Sequence, residues 1–89
     1  MEERNSILSL IYYENELVYS LNCYFVENED DLIEITLSQD SIVKGSVKMN
    51  SLQLKSIISF LDNIEGDSID IDDVIIKKDF LKNLETICE

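Results

Sequence analysis

Residues 62–73 read DNIEGDSIDIDD and carry six carboxylates: Asp62, Glu65, Asp67, Asp70, Asp72 and Asp73. Oxygen ligands at that density are what a hard cation requires. The spacing is not that of an EF-hand loop. With Gly66 in the glycine position, Leu61 would have to be the first ligand, and Asp72 would stand where a bidentate glutamate is needed. Paired carboxylates also serve as general acid and base, but that work needs a pocket that raises one of the two pKa values. These side chains fall in polar, turn-forming sequence among like charges, which reads as a solvated surface rather than a cleft.

Cys23 and Cys88 are the remaining candidates for covalent or metal chemistry. A thiolate nucleophile needs a neighbouring base, and the chain has no histidine. Cys23 alternates with Leu21 and Phe25 along an apolar run, which directs it into a core. Two cysteines this far apart suit neither a disulfide framework nor a zinc site; both read as thiols, with a bridge between them as the alternative. No glycine-rich phosphate loop is present. The sequence therefore predicts a non-enzymatic protein that uses no cofactor and no metal.

What the residues do offer is charge. Against 7 Lys and Arg stand 19 Asp and Glu, a formal charge of −12 on 89 residues. Such a surface repels nucleic acid and anionic membranes and favours a basic protein partner. Acidity that serves solubility alone is the competing explanation.

The elements that position these groups are legible from periodicity. Residues 49–66 set Leu54, Ile57, Ile58, Leu61 and Ile64 on one helical stripe. Asn50 suits the N-cap, Gln53 closes a capping box, Met49 staples against Leu54, and Gly66 ends the helix. Upstream, residues 6–13 and 17–26 read as a hairpin around a Glu14–Asn15 turn, pairing Leu8 with Leu21, Leu10 with Tyr19 and Tyr12 with Leu17. A helix using Leu17, Val18, Leu21, Tyr24 and Phe25 is the alternative there. After the polar break 27–31, residues 32–37 form a third strand with Phe25 facing Ile33, Cys23 facing Ile35 and Leu21 facing Leu37. Residues 43–49 form a fourth, turning Val43, Val47 and Met49 inward. In that register Gly45 faces Ile35 and marks either a bulge or a close approach by the helix. Residues 68–77 fit a short strand, a helical turn or irregular chain equally well. From Asp79, a possible N-cap, Phe80, Leu81, Leu84, Ile87 and Cys88 recur at helical spacing.

These elements assemble as an α+β fold: a four-stranded antiparallel β-meander followed by two α-helices, the first packed on one face of the sheet, in a single domain over residues 1–89. Folding then gathers Glu27, Glu29, Asp30 and Asp31 at the end of the sheet that holds Glu2 and Glu3. It sends Glu14, Glu16 and Asp40 to the opposite end, with the 62–73 run. The outer face of the first hairpin stays apolar at Ile7, Ile11, Tyr13, Val18, Tyr24 and Val26. Either the final helix covers it, or it contacts a partner or a second copy of the chain. Neither a secretory signal nor a membrane-spanning run is legible, so a cytoplasmic protein is expected.

In size, acidity and lack of catalytic motifs the chain resembles the small inhibitors that phages direct at bacterial defence, including anti-CRISPR proteins that occupy nucleic-acid-binding grooves, some as DNA mimics. It is similar in the same general way to immunity proteins that neutralise bacterial toxins. The resemblance carries over no individual residue. It implies an inhibitor that blocks a basic, nucleic-acid-binding surface of a partner protein. A self-associating structural or regulatory module that uses the apolar hairpin face is the alternative.

Overall fold

The computed structural model describes residues 6–29 and 31–88, the last of them by its backbone only. In chain order the elements are β1 (Leu8–Glu14), β2 (Leu17–Phe25), β3 (Leu32–Gln39), β4 (Ile42–Asn50), α1 (Ser51–Phe60), a 3-10 turn (Leu61–Asn63), β5 (Ser68–Ile71), β6 (Val74–Lys77) and α2 (Lys78–Cys88). Strands β1 to β4 make a four-stranded antiparallel sheet in sequence order, and β5–β6 is a separate hairpin. This is the expected α+β meander with two helices after it. The segment that sequence left undecided is the added hairpin.

The first hairpin pairs two residues away from the expected register: Leu8 with Cys23, Leu10 with Leu21, Tyr12 with Tyr19. Its turn is Asn15–Glu16 rather than Glu14–Asn15, with φ of 53° and 68°. A two-residue turn that follows strand twist takes left-handed backbone at both central positions; each of the two pairs holds one asparagine and one glutamate, so turn preference alone does not choose between them. A slip of two leaves every side chain on its own face. It also brings the Tyr12 and Tyr19 rings into a stack, centroids 5.2 Å apart and planes 14° from parallel. Continuous pairing of β2 with both neighbours overturns the helical alternative. The β2–β3 register is the expected one, Phe25 with Ile33, Cys23 with Ile35 and Leu21 with Leu37.

Between β3 and β4 the register shifts after Leu37, which pairs with Gly45, while Ser38 pairs with Val43. Lys44 is the extra residue of this bulge. The bulge turns Val43 outward, 63% exposed, where an inward side chain was expected, and it sets Gly45 against Leu37 instead of Ile35.

Helix α1 starts as its sequence dictates. The Asn50 side chain accepts from the Gln53 N–H and the Gln53 side chain accepts from the Asn50 N–H, both at 2.9 Å. Met49 and Leu54, the two halves of the staple, both lie in the core. The helix stops short of Gly66, however. Its end tightens into the 3-10 turn, Ile64 is extended, and the Lys78 ammonium at the start of α2 donates to the Ile64 carbonyl. Gly66 has the positive φ expected of it, 86°, but in the following loop. Along the stripe Leu54 and Leu61 are buried, and Ile57, Ile58 and Ile64 are half-buried. Asp79 lies inside the first turn of α2 rather than capping it, where its charge still meets the positive end of the helix.

One core unites the elements: Leu21, Cys23, Ile35 and Leu37 of the sheet, Leu54 and Leu61, Val74 and Ile76 of β6, and Phe80, Leu81 and Leu84 of α2. Strand β6 crosses the sheet. Val74 lies over Gly45, where an added Cβ would come 3.1 Å from Val74 Cγ2, and the Lys77 ammonium lies 4.7 Å from the Tyr12 ring centroid. The close approach at Gly45 is thus made by the hairpin and not by α1. Helices and hairpin share one face of the sheet, so α2 does not cover the outer face of the first hairpin. No helix among the described residues is long and apolar enough to cross a membrane.

Candidate protein-binding surfaces

The turns of the sheet present its acids. The β2–β3 connection is tight: the Val26 N–H donates to Leu32 O at 3.1 Å, the Glu29 N–H to Val26 O at 3.2 Å and the Leu32 N–H to Glu29 O at 3.2 Å, with Asn28 at φ 67°. Glu27, Glu29 and Asp31 are exposed on this loop. Among the described residues no cation pairs with any of them. Asp30, Glu2 and Glu3, expected at the same end, lie outside the described residues.

The 62–73 run behaves differently, because folding divides it and gives part of it counter-charges. Asp62, in the 3-10 turn, meets the Lys82 ammonium of α2 at 3.7 Å. Asp67 accepts from Lys77 at 3.3 Å and from the Ser68 hydroxyl at 3.1 Å. The Lys77 hydrogen bond, then that of Ser68, holds its carboxyl below the usual aspartate range. Glu65 and Asp70 are exposed, and Asp72 and Asp73 form the β5–β6 turn with φ of 50° and 66°. Asp67 and Asp72 sit at opposite ends of β5, roughly 16 Å apart at ~3.3 Å per residue, so the run is not one patch. Among the described residues no three acidic or thiol groups converge to hold a metal ion.

At the other end of the first hairpin Tyr12, Tyr19, Lys77 and Asp67 make a cluster that sequence reasoning missed. Burial pushes the Tyr12 hydroxyl above its ordinary pKa, opposed by the Lys77 charge and reinforced by Glu14 and Asp67. Glu14 and Asp67 therefore do share this end of the sheet. The cluster depends on β6 crossing the sheet, a relation no local pattern encodes.

The outer sheet face is smaller than its sequence suggested. Ile7 packs against the core, its N–H donating to Cys23 O at 2.7 Å, and Tyr24 is half-buried. Ile11 is 64% exposed, Tyr13 76% and Val18 36%. Val43 joins them through the row Ile11–Ser20–Ser38–Val43. Gly45 inside a strand was the available signal for the bulge that places it there. Asp40 borders the patch: its N–H donates to Val18 O at 2.8 Å and its carboxylate accepts from the Val18 N–H at 3.2 Å.

No protein-family model matches the chain, and no curated protein or solved structure matches it.

Proposed function

We propose that this protein binds a basic protein partner through its acidic loop ends and blocks a cationic, nucleic-acid-binding surface there, as an intracellular inhibitor without catalytic activity. The observation that carries this reading is the contrast between the two acidic regions. Glu27, Glu29 and Asp31 stand exposed on a short hydrogen-bonded loop with no counter-charge among the described residues, whereas Asp62 and Asp67 are partly neutralised by Lys82 and Lys77. A fixed cluster of unneutralised carboxylates attracts a cationic groove over long range and loses little entropy on docking. Loop 27–31 is therefore the docking patch, and the 62–73 run contributes mainly to the overall field. No described charged side chain is buried, so charge here serves the surface.

The test is retention of cell proteins on the immobilised chain at low salt, alongside a quadruple variant with Glu27→Gln, Glu29→Gln, Asp30→Asn and Asp31→Asn. A basic nucleic-acid-binding protein held by the wild type, lost with the variant, and prevented by the wild type from binding nucleic acid supports the reading. Retention that the variant leaves unchanged overturns it.

A further inference from the structure

The two edges of the main sheet are built differently. The β4 edge has a bulge at Lys44 and exposes Lys44 and Lys48, features that keep another strand from adding to it. The β1 edge has neither. Residues 6–13 hold no charged residue, the strand pairs with β2 without a register shift, and the chain has no proline to interrupt it.

Strand β1 also points a set of backbone groups outward. A two-residue turn makes Glu14 and Leu17 a hydrogen-bonded pair, so Leu8, Leu10, Tyr12 and Glu14 turn their N–H and C=O groups toward β2. The Val18 C=O, which bonds Asp40 on the far side of β2, shows the same alternation. Ser9, Ile11 and Tyr13 then direct theirs away from the sheet. Among the described residues no backbone group pairs with them.

We propose that β1 is a homodimer edge, paired antiparallel with β1 of a second copy about a two-fold axis at Ile11. In that register Ile11 faces its own counterpart, Ser9 faces Tyr13 and Leu10 faces Tyr12. Every outward N–H and C=O of Ser9, Ile11 and Tyr13 then finds a partner. The result is one continuous sheet across the two copies, with the exposed Ile11 and Tyr13 side chains meeting on its open face. Charge selects the second copy as the occupant. On a chain of net charge −12, an edge without charge over residues 6–13 is where two identical molecules approach with least repulsion, and a cationic partner gains little from it. Glu14, the only charged residue of β1, meets Leu8 of the second copy. This pairing is independent of the acidic-loop reading, and salt separates the two: screening weakens docking to a cationic partner and strengthens association of like-charged copies.

Sedimentation of the purified protein over a range of concentrations tests it, at ~50 mM and ~500 mM salt, where the screening length falls from above 10 Å to a few Å. The expected result is a monomer–dimer equilibrium that shifts toward dimer at high salt. Ile11→Lys, at an exposed position, should raise the dimer dissociation constant about tenfold by setting two lysines face to face, although it lowers the net negative charge. In a Cys88→Ser background Ile11→Cys should cross-link on oxidation, since paired Cα atoms at ~5.5 Å lie within disulfide reach. Phe25→Cys, exposed elsewhere on the sheet, should not. A monomer at every concentration and salt, a dimer indifferent to Ile11→Lys, or equal cross-linking at both cysteines overturns the proposal.

Discussion

Val74 presses on the one strand position that has no side chain: a Cβ on Gly45 would lie 3.1 Å from Val74 Cγ2. Val74 is buried, so its movement is resisted by the core. Gly45→Ala should destabilise the protein by about 1 kcal/mol and Gly45→Val by about 2–3 kcal/mol through overpacking. Combining Gly45→Ala with Val74→Ala should cost less than the two single changes together, since the smaller residue removes the clash. Denaturant unfolding of the four proteins measures this. Strict additivity would mean that Gly45 serves only the bulge beside it.

Leu61 is 1% exposed and Leu52, on the same helical segment, is 73% exposed. Leu61→Ala should cost about 2–4 kcal/mol by lost burial and a cavity, while Leu52→Ala should stay within about 0.5 kcal/mol. Equal unfolding midpoints for the two variants would contradict the placement of α1.

Three hairpins close through two-residue turns in which both residues have positive φ, Asn15–Glu16, Asp40–Ser41 and Asp72–Asp73, and none uses glycine. Left-handed backbone costs an L-residue roughly 1 kcal/mol that glycine does not incur, offset in part by the greater freedom of glycine in the unfolded chain. Glu16→Gly, Ser41→Gly and Asp73→Gly should each stabilise by about 0.5 kcal/mol, read from the shift in thermal midpoint. A loss of stability in all three would mean that these side chains make contacts that outweigh the strain.

These turns also show what was legible in the sequence. Alternation identified the strands and their faces, because a two-residue slip conserves the period; the missing glycine hid which pair of residues turns, so the first register was off by two. The capping box of Asn50 and Gln53 was readable because it is local. The β5–β6 hairpin was not, since four-residue strands with an Asp–Asp turn carry too little period to separate strand from helix. Of the candidate surfaces, loop 27–31 was legible as a charge run. The pairing of Asp67 with Lys77 and of Asp62 with Lys82 depends on tertiary packing.

Asp67 gives the acid limb of stability a specific component. Its folded pKa lies below the ordinary aspartate value of 3.8 through hydrogen bonds from Lys77 and Ser68, so its contribution is present above that pH and is lost as pH falls through the lower folded value. Asp67→Asn should be less stable than wild type at neutral pH, and the two should converge below pH 3.8. Tyr12 acts in the opposite sense. Its pKa is raised above 10.0 by burial, so its contribution holds below pH 10 and is lost as pH rises through the folded value. Tyr12→Phe should flatten the alkaline decline. Unfolding curves across pH measure both, and parallel profiles for variant and wild type would contradict the Tyr12–Lys77–Asp67 cluster.

The central claim, docking through the acids of loop 27–31, is tested most directly by the association rate constant with the recovered partner. It should be measured for the wild type and for the loop variant carrying Gln and Asn at positions 27, 29, 30 and 31, at low salt and at ~0.5 M, where screening leaves only a few Å of reach. The account predicts that the wild type associates at least about tenfold faster than the variant at low salt, and that the advantage collapses at high salt. Neutralising Asp62, Glu65, Asp67, Asp70, Asp72 and Asp73 should have the smaller effect. Equal rates for wild type and loop variant, unchanged by salt, would contradict it.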